Sequence, residues 1–97
     1  MGEPSARTTD ATDAQLIAQW QRGDQRAAAA LVERHAGPLA RFAASLGERD
    51  EVDELVQDTF VRAFGALESF RSDSSLRTWL LTICKRLRLD RRRSERR

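Results

Sequence analysis

Asp53-Glu54-Leu55-Val56-Gln57-Asp58-Thr59-Phe60 has the spacing of a helix that is acidic on one side and apolar on the other. Val52, Leu55, Val56, Thr59, Phe60, Ala63, Phe64 and Leu67 recur at helical intervals, with Glu51, Asp53, Glu54, Gln57 and Asp58 between them. Carboxylates in a first turn are favoured because the helix N-terminus carries partial positive charge. A solvated surface helix would need no more than that. Gln57 and Asp58, however, stand side by side on the polar face, where a partner can use them, and the chain turns strongly basic some way downstream. The helix is predicted from Glu51 to Ser69, capped by Asp50, with Gly65 inside it to allow close packing.

Upstream, residues 1–11 mix Gly, Pro, Ser, Thr and charge without period and read as a flexible tail. Thr12 and Gln15 have capping-box spacing, which starts a first helix over Asp13–Arg22 with Leu16, Ile17 and Trp20 on its apolar face. Gly23 suits the stop and Asp24 the next cap. A second helix is predicted over Gln25–Ala36, with Ala28, Leu31, Val32 and His35 on one face. Gly37-Pro38 should kink or break it, since proline lacks an amide hydrogen and crowds the preceding turn. Leu39, Phe42, Ala43 and Leu46 then resume the period until Gly47. His35 has no companion ligand and reads as a half-buried structural histidine.

Downstream, Phe70-Arg71-Ser72-Asp73-Ser74-Ser75 is a short polar connection, and Ser74 or Ser75 can cap a fourth helix over Leu76–Arg92. Its buried stripe is Leu76, Trp79, Leu80, Ile83 and Leu87, and Cys84 reads as a small core or boundary residue. No period-two pattern occurs. The expected fold is all-α, a compact bundle of about four helices.

With 97 residues the chain makes one small domain, and 40% hydrophobic against 33% charged residues fits a globular helical protein rather than a disordered chain. No apolar run is long enough to span a membrane, and the N-terminus has no signal-peptide core, which together point to the cytoplasm. The lone Cys84 cannot form an internal disulfide, and no Cys/His cluster suggests zinc. Neither a glycine-rich phosphate loop nor a Ser-His-Asp set is present, and no second histidine is available for base chemistry. These residues point to neither an enzyme nor a cofactor.

The net charge of +2 hides a strong asymmetry. Glu48, Asp50, Glu51, Asp53, Glu54 and Asp58 crowd one segment, and Lys85, Arg86, Arg88, Arg91, Arg92, Arg93, Arg96 and Arg97 crowd another. The basic helix and its tail have the character of a phosphate-contacting element. Phe70 and Trp79 admit two readings. They are core residues, or they are platforms on which unpaired bases stack beside the positive charge.

The ordered set Asp53-Glu54-Leu55-Val56-Gln57-Asp58-Thr59-Phe60, Phe70-Arg71 with its polar loop, Arg77-Thr78-Trp79-Leu80-Leu81-Thr82-Ile83 and Asp90-Arg91-Arg92-Arg93 resembles region 2 of a bacterial sigma factor of the extracytoplasmic-function group. Leu16-Ile17, Gly23-Asp24, Leu31-Val32 and Leu39-Ala40-Arg41-Phe42 fall in the same order and spacing, so the resemblance covers roughly residues 13–93. It implies a sigma region 2 domain over 12–93, the start of a basic linker over 94–97, and no C-terminal region 4 in this chain. It also implies docking on the β′ clamp helices of core RNA polymerase through Glu54, Gln57, Asp58, Val61 and Phe64. The implied contacts to the non-template strand of the promoter −10 element are Phe70, Arg71, Ser72, Asp73, Ser74, Ser75, Arg77, Trp79, Thr82, Lys85 and Arg86. An anti-sigma factor is the implied regulator.

Arg86 occupies a position that is commonly Asn in the group, so a longer cation replaces a base-reading amide. Arg86 either contacts DNA or pairs with Asp90 one turn on. Two rival functions are a decoy domain that binds an anti-sigma factor without touching DNA, and a basic domain that binds nucleic acid without preference. The intact polar loop and basic helix count against the decoy. The acidic third helix, which would repel phosphate, counts against the second.

Overall fold

The computed structural model describes residues 11–71 and 74–95. The expected tail over residues 1–10, the loop residues Ser72 and Asp73, and Arg96-Arg97 lie outside them. Four α-helices follow in order: α1 (Asp13–Gln21), α2 (Gln25–Ser45), α3 (Val52–Gly65) and α4 (Leu76–Glu95), with a 3₁₀ turn over Leu67–Ser69 after α3. No strand occurs among the described residues, so the fold is all-α.

The N-terminal part, up to His35, is built on local signals. The Thr12–Gln15 capping box forms: the Gln15 amide donates to Thr12 Oγ1 at 3.1 Å, and the Thr12 amide donates to Gln15 Oε1 at 2.8 Å. Gly23, at φ +99°, ends α1 in a Schellman turn, where Gly23 N–H donates to the Trp20 carbonyl and Asp24 N–H to that of Gln19. Asp24 then caps α2 by accepting the Arg26 amide at 2.9 Å. Hydrogen bonding from the Arg26 side chain and amide holds the Asp24 carboxyl below its usual pKa. Asp13, in the first turn of α1, accepts from Arg34 at 2.9 Å and meets His35 Nε2 at 3.0 Å. His35 is fully rather than half buried, and this carboxylate is what supplies its polar partner.

Gly37-Pro38 does not break the second helix. α2 runs unbroken through Pro38 to Ser45. Leu31, His35, Leu39 and Ala43 are all buried at exact four-residue intervals, and a break would carry Leu39 and Ala43 off that stripe. Burial of that stripe outweighs the one hydrogen bond that proline removes.

In the C-terminal part, from Ala36 onward, α2 ends at Gly47 (φ +100°) in a second Schellman turn, with Glu48 N–H donating to the Ala43 carbonyl at 3.1 Å. The cap of α3 is Glu51, not Asp50, and it caps through no side-chain bond. Its own amide donates to the Glu48 carboxylate at 3.3 Å, so the connection is tied back onto itself. α3 also stops earlier than its apolar period suggests. Ala66 and Ser69 close tighter turns, and the Ser69 hydroxyl donates to the Ala66 carbonyl at 2.7 Å. Gly65 closes the helix in open space, so close packing is not its reason.

The core of this part comprises Leu39, Ala43, Leu55, Val56, Phe60, Ala63, Leu67, Leu76, Leu80 and Cys84. Buried Thr59 satisfies its hydroxyl by donating to the Leu55 carbonyl at 2.8 Å. On α4 the buried line is Leu76, Leu80 and Cys84, while Trp79, Ile83 and Leu87 flank it half-buried. Ser75 caps α4, its hydroxyl oxygen accepting the Thr78 amide at 3.0 Å. The helix outlasts its predicted end at Arg92 by one turn, to Glu95.

Candidate functional site

Packing of Leu55, Val56, Thr59, Phe60 and Ala63 into the core turns the opposite face of α3 outward. Glu54, Gln57 and Val61 are exposed on that face. Val61 is 67% exposed, one turn from both Gln57 and Asp58, and so sets an apolar contact inside a polar rim. Asp58 is half-exposed. Phe64, one turn beyond Val61, is half-buried and stacks on Phe60 with ring centroids 6.3 Å apart.

The second candidate surface begins after the 3₁₀ turn. Phe70 and Trp79 face each other across the loop, their ring centroids 5.1 Å apart and their planes inclined by 45°. Both are half-buried, so part of each ring surface stays open beside the tilted contact. Arg71, Ser74, Ser75 and Arg77 are exposed around them, while Ser72 and Asp73 lie outside the described residues. Along α4, Thr82, Lys85 and Arg86 are exposed. Their sequence spacing gathers them on one stripe, away from Leu80 and Cys84. Of the two alternatives for Arg86, the pair with Asp90 does not form, and Arg86 has no ion-pair partner among the described residues. Its guanidinium is therefore presented to solvent with all its donors available.

Two arginines depart from the expected phosphate-facing role. Arg88, only 11% exposed, lies inward with its Nε 3.5 Å from Glu48 Oε1. A Cβ at Gly47 would sit 3.2 Å from its Nη2, so that glycine gives both the left-handed turn and the room for the guanidinium. Arg91 reaches across to α3. It donates to Glu51 at 3.2 Å and to Asp58, and comes within 3.9 Å of Glu54. Arg92 and Arg93 stay exposed. Sequence periodicity places Arg88 beside the buried line, one turn from Cys84, which was the available signal. The partners of Arg91 lie 33 and 40 residues away and have no local signature.

Cys84 is fully buried, and desolvation pushes its thiol above the usual pKa. A raised pKa leaves little thiolate at neutral pH, which argues against redox chemistry at this position. Alkylation by iodoacetamide at pH 8 is expected to be slower in the folded chain than in denaturant by on the order of tenfold or more. Equal rates in the two conditions would show that the thiol is accessible. No cluster of residues suited to a metal occurs among the described residues, and no helix there is long and apolar enough to cross a membrane.

The structure thus places an acidic helix face with an exposed apolar centre on α3, and a basic stretch beside an aromatic pair at the start of and along α4. Comparison with known proteins places the chain in a family. Residues 31–97 match the family described as Sigma-70 region 2. The chain is 43% identical over 77 residues to the RNA polymerase sigma factor NccH of Alcaligenes xylosoxydans xylosoxydans, covering 78% of this chain and 41% of that protein. It is 48% identical over 69 residues to the sigma factor CnrH of Cupriavidus metallidurans, covering 70% and 36%. It is 39% identical over 72 residues to the ECF RNA polymerase sigma-E factor of Escherichia coli K12, covering 74% and 38%. The matched segment thus spans about two fifths of the length of these curated relatives. Such factors serve transcription initiation and are not enzymes. On this evidence the chain belongs to the sigma-70 region 2 family, within the extracytoplasmic-function group of sigma factors.

Proposed function

We propose that this domain docks on core RNA polymerase through the outer face of α3 and engages the non-template strand of the promoter −10 element through the Arg71–Ser75 loop and α4. The observation that carries this reading is the separation of two chemically opposite surfaces on neighbouring helices. Glu54, Gln57 and Asp58 surround the exposed Val61 on α3, whereas Lys85, Arg86, Arg92 and Arg93 are exposed on α4. The first suits a basic helical partner such as the β′ clamp, with Phe64 extending the apolar contact. The second suits phosphate, and the Phe70–Trp79 pair offers a ring surface to an unstacked base. An anti-sigma factor would restrain the domain by covering either surface, and the domain would work in the cytoplasm, where promoter DNA is.

Val61→Arg tests the docking surface. Asp58→Arg is a poorer probe, because Asp58 also holds Arg91 and its reversal would disturb α4. Val61 is exposed, so its replacement should alter stability by only about 0.5 kcal/mol. Binding to core polymerase is expected to weaken by about tenfold or more, the loss typical of a central contact residue. Unchanged binding by a folded Val61→Arg chain in a core-polymerase pull-down would overturn the assignment of this face.

A further inference from the structure

We infer that Leu89 is a specificity residue for the duplex just upstream of the −10 element, where its side chain meets the 5-methyl group of a thymine in the major groove. This rests on the reading of α4 as the DNA face. Among the described residues the large hydrophobic side chains that stand exposed are Val61 and Leu89, at 67% and 47%. Val61 is at the centre of the acidic face of α3, and Leu89 has the matching place on α4. The residues three and four positions to either side of Leu89 are Lys85, Arg86, Arg92 and Arg93, all of them exposed. On a helix these are the nearest surface neighbours, so Leu89 is an apolar spot ringed by cations. The adjacent acid, Asp90, lies about 100° round the helix from it.

The ring of charge selects the occupant. An apolar protein surface would leave the cations without counter-charge, whereas a DNA groove sets phosphates on both sides of a base edge. The apolar group that edge presents in the major groove is the thymine methyl. Placement along the helix agrees. α4 is continuous from Leu76 to Glu95, and Leu89 follows Thr82 by seven residues, or about two turns, which keeps both on one side. Leu89 lies about 4.5 Å further along the axis than Arg86, little more than one base-pair step. With Arg86 at the upstream edge of the element, Leu89 falls over the first base pairs of the duplex beyond it. The Thr82 hydroxyl donates its hydrogen to the Thr78 carbonyl at 3.0 Å, so this side of the helix reads bases through Arg86 and Leu89 rather than through a threonine donor.

The test is a fluorescence-anisotropy titration of the 97-residue chain against fork probes, duplex upstream of the element and single-stranded non-template across it. The first base pairs of the duplex carry thymine on either strand, and each thymine is replaced by uracil in turn, which deletes one methyl group and nothing else. Wild type is expected to lose about fourfold in affinity at one such site, the effect of withdrawing one apolar carbon from burial. In Leu89→Ala, thymine and uracil should bind alike there, with the salt slope unchanged because no cation is lost. Leu89→Met, which keeps the apolar reach, should retain the preference. Circular dichroism checks that both variants stay helical. A wild-type chain that binds every probe without distinguishing thymine from uracil overturns the proposal and leaves the DNA assignment standing. A preference that survives in Leu89→Ala overturns it too, as does a loss of affinity in that variant that is equal on both bases. Unmoved titrations with a weaker core-polymerase pull-down by Leu89→Ala would give Leu89 to a protein interface instead. Failure of wild type to bind any fork probe removes the DNA reading itself, and the inference with it.

Discussion

Leu55→Ala is expected to destabilise the domain by about 2–5 kcal/mol, the range for removing a leucine from a packed core. Leu55 is 0% exposed and lies on the inner side of the same helix that presents Gln57 and Val61 outward. A domain of this size has about 5–15 kcal/mol of total stability, so the loss is a large fraction of the whole. The melting temperature should fall by about 10 °C or more. Thermal unfolding followed by circular dichroism checks this, with the exposed Gln57→Ala as reference, for which no more than about 0.5 kcal/mol is expected. Equal melting temperatures for the two variants would mean that Leu55 is not a core residue.

Substitutions at Arg86 should have the largest effect on DNA. Without an Asp90 pair to break, Arg86→Ala removes only a solvent-facing cation, so the fold should be unaffected. Affinity for the −10 element should drop, and the salt slope should shrink by about 0.7–0.9 if the lost contact is to one phosphate. Arg86→Asn carries more information. An asparagine amide pairs bidentately with an adenine edge, whereas a guanidinium pairs with guanine or phosphate, and a good bidentate pair discriminates by about 1–3 kcal/mol. The Asn variant should therefore shift preference toward adenine at the upstream edge of the element by roughly fivefold to a hundredfold. Titrations of wild type and both variants against probes substituted at that edge decide the matter. Three superimposable profiles would remove Arg86 from the DNA surface.

Much of the candidate site was legible because exposure on a helix follows from spacing. Once Leu55, Val56 and Phe60 are taken as core, Glu54, Gln57 and Val61 have to face outward. The same logic put Thr82, Lys85 and Arg86 on one open stripe of α4. It failed for Arg88 and Arg91, which composition counted with the phosphate-facing arginines. Charge density along a chain says how many cations a segment holds, not which of them the fold neutralises. Arg88 and Arg91 are engaged by Glu48, Glu51, Glu54 and Asp58, all contributed by other segments.

The sequence by itself determined the all-α class and the ends of the helices whose signals are local. Thr12 with Gln15, Gly23 with Asp24, Gly47 and Ser75 each act within a few residues, so a backbone amide finds its cap whatever the rest of the chain does. Tertiary structure decided the cases where local preference and burial disagree. Pro38 stays inside a helix because Leu39 and Ala43 remain buried on the stripe that Leu31 and His35 begin. Cys84, rather than Ile83 or Leu87, lies on the buried centre line of α4. Asp13 and His35, 22 residues apart, form a pair that neither residue's neighbours announce. Arg91 joins the acidic helix to the basic one for the same reason: a charge settles on the nearest opposite charge in space, and only the packed fold says which that is.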